Sequence, residues 1–225
     1  MKRLHIIVEG QSEEEFANKT LAVHLAYHEV YADARCVKTG RKDGKDIRGG
    51  MTNYEKAKND ILDWMDEEHG NTDVAFSTMF DYYRLPNSFP GYAAATALID
   101  PYKKVETIEK ALKSDINDSR FFPYIQLHEF EALLFSDIQK MGISYTENIK
   151  EIEFLESIQQ AFGNPELIDQ GPTTAPSKRI ISKIPDYEDD KPFVGPLVAQ
   201  AIGIETLKKT CPHFCEWVER LEQLG

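Results

Sequence analysis

Apolar and polar positions in the first 135 residues switch repeatedly between a two-residue and a helical period. Leu4 to Val8 (LHIIV) is a short β-branched run and predicts a strand. Ser12 and Glu15 have the spacing of a capping box, and Phe16, Val23, Tyr27 and Val30 recur at helical intervals. A helix is therefore expected from Ser12 to about Val30. Ala32 to Val37, too short for a helix and flanked by charge, predicts a second strand. After a Gly- and Lys-rich loop, Tyr54, Ala57, Ile61 and Met65 mark an amphipathic helix. Val74 to Phe80 (VAFSTMF) predicts a third strand that ends at Asp81, before the irregular loop LPNSFPG. Asp100 and Pro101 suit the N-cap and first turn of a helix with the stripe Val105, Ile108, Leu112 and Ile116. Phe121 to Leu127 predicts a fourth strand, running into HEFEALLF, whose composition is helical.

This order is that of an α/β protein with a parallel sheet of about four strands flanked by helices. From about Ser136 the strand-like runs stop. Helices are expected at Glu147 to Phe162, Ser177 to Lys183 and Cys211 to Leu224, with GPTTAP (171–176) as a loop. No low-complexity or long Gly/Ser linker intervenes, so the expected organisation is an α/β core over 1–137 and a helical extension over 138–225 packed on it.

Composition narrows the setting. The opening MKRLHIIVEGQSEEE puts carboxylates directly after a five-residue run, unlike a secretory signal, and no stretch approaches the roughly 18 apolar residues of a membrane span. Cys36, Cys211 and Cys215 cannot make a complete disulfide framework, which suits a reducing cytoplasm. The formal charge of −12 repels nucleic acid at long range. Locally the picture reverses: residues 34–50 carry six Lys or Arg against two Asp. Arg48 with Gly49 and Gly50 leads into a helix start, and Lys45 lies on the same Gly-rich stretch, which suits phosphate contact. It is not a P-loop, because Gly40-x-x-x-Gly44-Lys45 is one residue short and Asp46 replaces Ser or Thr.

The chemistry lies at strand ends. Glu9 follows the first strand, with Glu13 four residues on; Asp81 follows the third; His128, Glu129 and Glu131 follow the fourth. In a parallel sheet these ends share one rim, where ligands bind. Carboxylates brought together repel unless a cation neutralises them, and an all-oxygen set favours Mg²⁺ or Mn²⁺. A helix-dipole role accounts for Glu13, Glu14 and Glu15 as well as a site does. It does not account for Glu9 and Asp81.

VEGQSEEEF, with Glu9, Gly10 and Glu13, resembles the first motif of Toprim domains, the metal-binding α/β module of topoisomerases, primases and nucleases of the overcoming-lysogenization-defect class. MFDYYRLPNSFPG, YIQLHEFEALLFSD, APSKRI and the CPHF and Trp of the last helix resemble the bacterial family known as domain of unknown function 4276, a Toprim-like group. The resemblance implies metal-dependent phosphodiester hydrolysis on DNA or RNA in defence or mobile-element settings, often beside an ABC-type ATPase. It implies a metal set of Glu9, Asp81 and Glu129 or Glu131, with Glu13 as further ligand or base. Toprim domains carry Asp-x-Asp after the third strand, whereas here Asp81 is followed by Tyr82 and Tyr83. Glu129 or Glu131 is expected to replace the missing acid. On a helix these two would point about 200° apart, so only one would face the metal. Lys178 is the candidate for stabilising developing charge, Arg179 a second phosphate contact and His128 an auxiliary group. The expected activity is that of an endonuclease; the rival is a degenerate module that regulates a partner ATPase.

Other groupings carry less. Cys211-x-His213-x-Cys215 lacks the fourth ligand of a closed zinc site and reads as a packed helix start. His24 and His28, one turn apart, lack the Glu of a zincin motif and read as structural.

Overall fold

The chain begins with β1 (Lys2–Val8) and a helix in three segments: α1 (Gln11–Phe16), a π turn (Ala17–Leu21) and α2 (Ala22–Ala26). It continues through β2 (Val30–Cys36), β3 (Lys38–Lys42), β4 (Lys45–Arg48), α3 (Tyr54–Glu67), β5 (Val74–Asp81), α4 (Tyr92–Thr96), α5 (Pro101–Ile116), β6 (Phe121–Phe122) and β7 (Ile125–Gln126). Two 3₁₀ segments, Phe130–Ser136 and Ile138–Ile143, lead to α6 (Ile149–Phe162), α7 (Pro176–Lys183), α8 (Tyr187–Ile202), α9 (Ile204–Thr210) and α10 (Pro212–Glu222). The computed structural model describes residues 2–42, 45–51, 53–168, 171 and 173–225, without the side chains of Thr39, Arg41, Lys42, Lys45, Asp46, Ile47 and Arg48.

The sheet is parallel, in the order β2-β1-β5-β6, with β7 also paired to β5. From β1 the chain moves outward to β2, then crosses back and lays β5 on the other side of β1. The topology therefore reverses between β1 and β5, where an open α/β sheet forms its ligand crevice. The two-residue period divides the core. Leu4, Ile6, Val8, Ala75 and Met79 pack on α1 and the C-terminal helices. Ile7, Val74, Phe76 and Phe80 pack on α3 and α5.

The first helix starts and stops differently from expectation. Gly10 is its N-cap, so Glu13, rather than Glu15, holds the third helical position. The π turn shifts the helical phase, leaving Val23 and Tyr27 at 56% and 85% exposure while Leu21 and Leu25 are buried. Glu29, at φ 60°, ends the segment, and Val30 opens β2 opposite Lys2. The expected loop after β2 is an antiparallel β3–β4 hairpin. The fourth strand is broken at Pro123, which has no N–H for the ladder; the Thr78 hydroxyl instead bonds both the N–H and C=O of Tyr124, at 3.0 Å each. HEFEALLF forms 3₁₀ turns rather than α-helix. Three helices, α4, α8 and α9, have no counterpart in the expected elements; α8 carries internal Pro192 and Pro196.

The C-terminal helices join the core on the α1 face. Trp217 of α10 stacks on Tyr124 with ring centroids 4.2 Å apart, and its Nε1 donates to Ser77 Oγ of β5 at 2.9 Å. Buried Glu166 caps α10 by accepting from the N–H groups of His213 (3.0 Å) and Phe214 (2.9 Å). The Cys211 region is thus a packed helix start. Among the described residues, no helix is long and apolar enough to cross a membrane.

Candidate functional site

β1 and β5 end in register: Val8 pairs with Met79, and the Glu9 N–H reaches the Met79 carbonyl at 3.3 Å. Glu9 and Asp81 consequently leave adjacent strands at the switch point. They share a cleft of about 370 Å³ with Glu13, Glu129, Glu131, Arg84 and Lys191. Gly49 and Gly50, at the foot of the β3–β4 hairpin, close one side; the Gly50 N–H donates to the Glu9 carbonyl at 3.2 Å.

Each carboxylate arrives by a different local device. The Glu13 carboxylate turns back to accept from its own N–H and that of Gly10, the return half of a capping box. A side chain at position 10 would crowd it, because a Cβ there would lie 3.0 Å from Glu13 Oε2. His128 adopts φ 65° and Glu129 is extended, so Glu129 and Glu131 do not share a helix and both reach the cleft. The expectation that only one could face it assumed α-helical geometry. Glu129 Oε2 accepts from Ser177 N–H at 3.0 Å. Glu131 Oε1 lies 3.4 Å from Lys191 Nζ and 3.5 Å from the Tyr187 hydroxyl.

Glu9 and Asp81 are less well satisfied. The Glu9 carboxylate accepts from the Asp81 N–H. Glu9 Oε2 and Asp81 Oδ1 are nevertheless buried with no hydrogen-bond partner among the described residues. Burial and four neighbouring carboxylates hold the Asp81 carboxyl well above its usual range. Burial likewise raises Glu9, against the lowering effects of the Asp81 N–H and the Arg84 charge. Burial, opposed by its N–H bonds and reinforced by Glu131 and Glu9, pushes Glu13 up to about 8. Burial raises Glu131 despite Lys191. Unsatisfied acidic oxygens in a site of this polarity are what a hard divalent cation would neutralise, so the donor set fits Mg²⁺ or Mn²⁺.

Of the expected cations, Lys178 and Arg179 do not line the cleft. Arg179 donates through Nε to the Thr174 carbonyl at 2.7 Å and lies over Phe162, so its guanidinium serves packing. Neither Lys178 nor His128 is among the described residues lining the cleft; the His128 carbonyl accepts from the Tyr83 N–H at 2.9 Å. Lys45 and Arg48 lie in β4, and their side chains fall outside the described residues. Arg84 and Lys191 are the cleft cations that sequence reading missed. Arg84 had a local signal, lying three residues beyond the Asp81 strand end. Lys191 had none, because α8 folds over the cleft from 110 residues away.

Fold and cleft together define a parallel α/β protein with an acidic crevice at its topological switch point. Residues 8–222 match the family described as Domain of unknown function (DUF4276), and the chain belongs to it. No curated protein and no solved structure matches the chain.

Proposed function

We propose that the protein is a Mg²⁺- or Mn²⁺-dependent endonuclease of Toprim type, hydrolysing phosphodiester bonds in DNA or RNA. The observation that carries this reading is the pair of unpartnered buried oxygens, Glu9 Oε2 and Asp81 Oδ1, at the switch point. Glu9 and Asp81 would hold the ion, with Glu129 and Glu131 completing the acidic surround; Mg²⁺ commonly uses one or two carboxylates and retains waters. When bound, the ion supplies charge stabilisation at the phosphoryl group and an activated water. Glu13, poised near neutral pH by burial, can accept the proton of the attacking water at its carboxylate. Arg84 and Lys191 offset the charge of an incoming phosphate beside an otherwise repulsive surface. The basic hairpin adjoining Gly49 would guide the strand toward the cleft.

A second reading, a catalytically silent module regulating a partner ATPase, is favoured by Tyr83 standing where Toprim domains have a second aspartate. One set of measurements separates the two. Wild type should bind Mn²⁺ and cut single- or double-stranded DNA or RNA, and Glu9→Gln and Asp81→Asn should do neither. If the variants cut as fast as wild type, the nuclease assignment is wrong. Carboxylate-dependent Mn²⁺ binding with no cleavage of any of these substrates would favour the regulatory module.

A further inference from the structure

A second cluster of ligating side chains lies at the other end of the first helix. His28 is 15 residues beyond Glu13 in the sequence, in the turn that follows α2. His24 lies in α2 and His28 in the turn just beyond it, their ring centroids 5.1 Å apart, and Glu222 reaches them from the end of α10. One ligand atom from each lies within 4.8 Å of the others. We propose that His24, His28 and Glu222 form a transition-metal site of the Zn²⁺ class, separate from the acidic cleft and clamping the first helix to the last.

Geometry and donor chemistry support this assignment. Tetrahedral zinc bonds of about 2.0–2.2 Å place neighbouring ligand atoms roughly 3.4 Å apart. The distances from Glu222 Oε1 to His24 Nε2 and His28 Nε2 are 2.7 and 3.9 Å, on either side of that value. Small side-chain rotations would admit the ion. Two imidazoles and one carboxylate are a borderline donor set that selects Zn²⁺, Co²⁺ or Ni²⁺ over Mg²⁺, the reverse of the all-oxygen cleft. The His28 side chain is 40% exposed while those of His24 and Glu222 are 16% and 13% exposed, so a fourth position faces solvent. The His24–Glu222 hydrogen bond is the contact the ion would replace.

Lys208 gives the proposal a distinctive signature. Its Nζ lies 2.7 Å from the same Glu222 oxygen and competes with a metal for it. Removing this ammonium should tighten metal binding, whereas removing an imidazole should abolish it. A site unrelated to these residues would show neither effect.

The full-length chain would be titrated with Zn²⁺ by calorimetry and with Co²⁺ by visible absorption, with circular dichroism checking the fold of each variant. The expected result is one equivalent of Zn²⁺ that excess Mg²⁺ does not displace, with Co²⁺ bands of a four-coordinate ion. His28→Gln should lose that equivalent, Lys208→Gln should bind it several-fold tighter, and the double variant E9Q/D81N should keep it. Zn²⁺ should raise the melting midpoint of wild type but not of folded His28→Gln, by linkage of binding to the native state. A folded wild type that binds no Zn²⁺ overturns the proposal. So does binding that survives His28→Gln or disappears in E9Q/D81N.

Discussion

Glu9 and Asp81 meet across the β1–β5 boundary, the Glu9 carboxylate accepting the Asp81 N–H while one oxygen of each side chain is left buried and unpartnered. An arrangement that costs the apo fold stability has a measurable counterpart. Asp81→Asn removes a titratable group whose ionisation burial and four other carboxylates oppose, so it should stabilise the metal-free protein by about 1–3 kcal/mol in denaturant unfolding. Under the proposed function the same substitution should abolish Mn²⁺-dependent cleavage. A variant less stable than wild type without metal would contradict the assigned repulsion.

Lys191 should separate binding from metal loading. It faces Glu131 at 3.4 Å across the cleft. Lys191→Met should leave Mn²⁺ binding measurable in calorimetry while weakening nucleic-acid affinity and lowering kcat/KM. Unchanged affinity and kcat/KM would remove it from the substrate path.

Glu166 is a test of the fold alone. Its buried carboxylate satisfies two N–H groups at the start of α10 and also accepts from the Tyr102 hydroxyl at 3.1 Å. Glu166→Ala leaves these donors unpaired and should cost about 2–4 kcal/mol in chemical denaturation. A cost below about 0.5 kcal/mol would show that the cap is dispensable.

His213 predicts a pH dependence. Burial lowers its pKa, but the Glu109 hydrogen bond at 2.9 Å and its charge outweigh burial, and the net shift is above the ordinary 6.5. A native pKa raised above the unfolded one adds stability that is complete below 6.5 and fades as pH rises through the native value. Unfolding midpoints measured across that interval should fall for wild type, and His213→Gln should flatten this component. An unchanged slope in the variant would remove His213 from the linkage.

Gly91 tests the close approach of α4 and α5. It sits at φ +78°, and an added Cβ would lie 2.8 Å from Ala111 Cβ and 2.9 Å from the Thr107 carbonyl oxygen. Gly91→Ala combines backbone strain with overpacking and should destabilise by about 2–4 kcal/mol. Thermal melting at matched buffer would detect it.

The parallel α/β class and the strand-end positions of Glu9 and Asp81 were legible because β-branched runs and abrupt polarity changes are local signals. Glu13 was legible as a helix-start acid, although the N-cap lies at Gly10 rather than Ser12. Other features depended on less local effects. The π turn shifts a helical stripe without altering composition, which is why Tyr27 looked buried. The stretch that forms α8 carries Pro192 and Pro196 in its interior, and what holds it as a helix is the packing of Tyr187, Val198 and Ile202 in the core, a tertiary effect. Strong charge made the β3–β4 hairpin resemble a loop. Lys191 came to the cleft through tertiary packing, which leaves no spacing to read.

The contact of Trp217 with Ser77 has a consequence during synthesis. The patch of the sheet around Ser77 and Tyr124 stays without its cover until α10 has been translated, 140 residues after Ser77. A ribosome-bound chain halted before that helix would leave Tyr124 without its stacking partner and the Ser77 hydroxyl without its indole donor. Such intermediates are natural clients for chaperones, and premature termination near residue 211 should yield aggregates rather than a smaller folded protein.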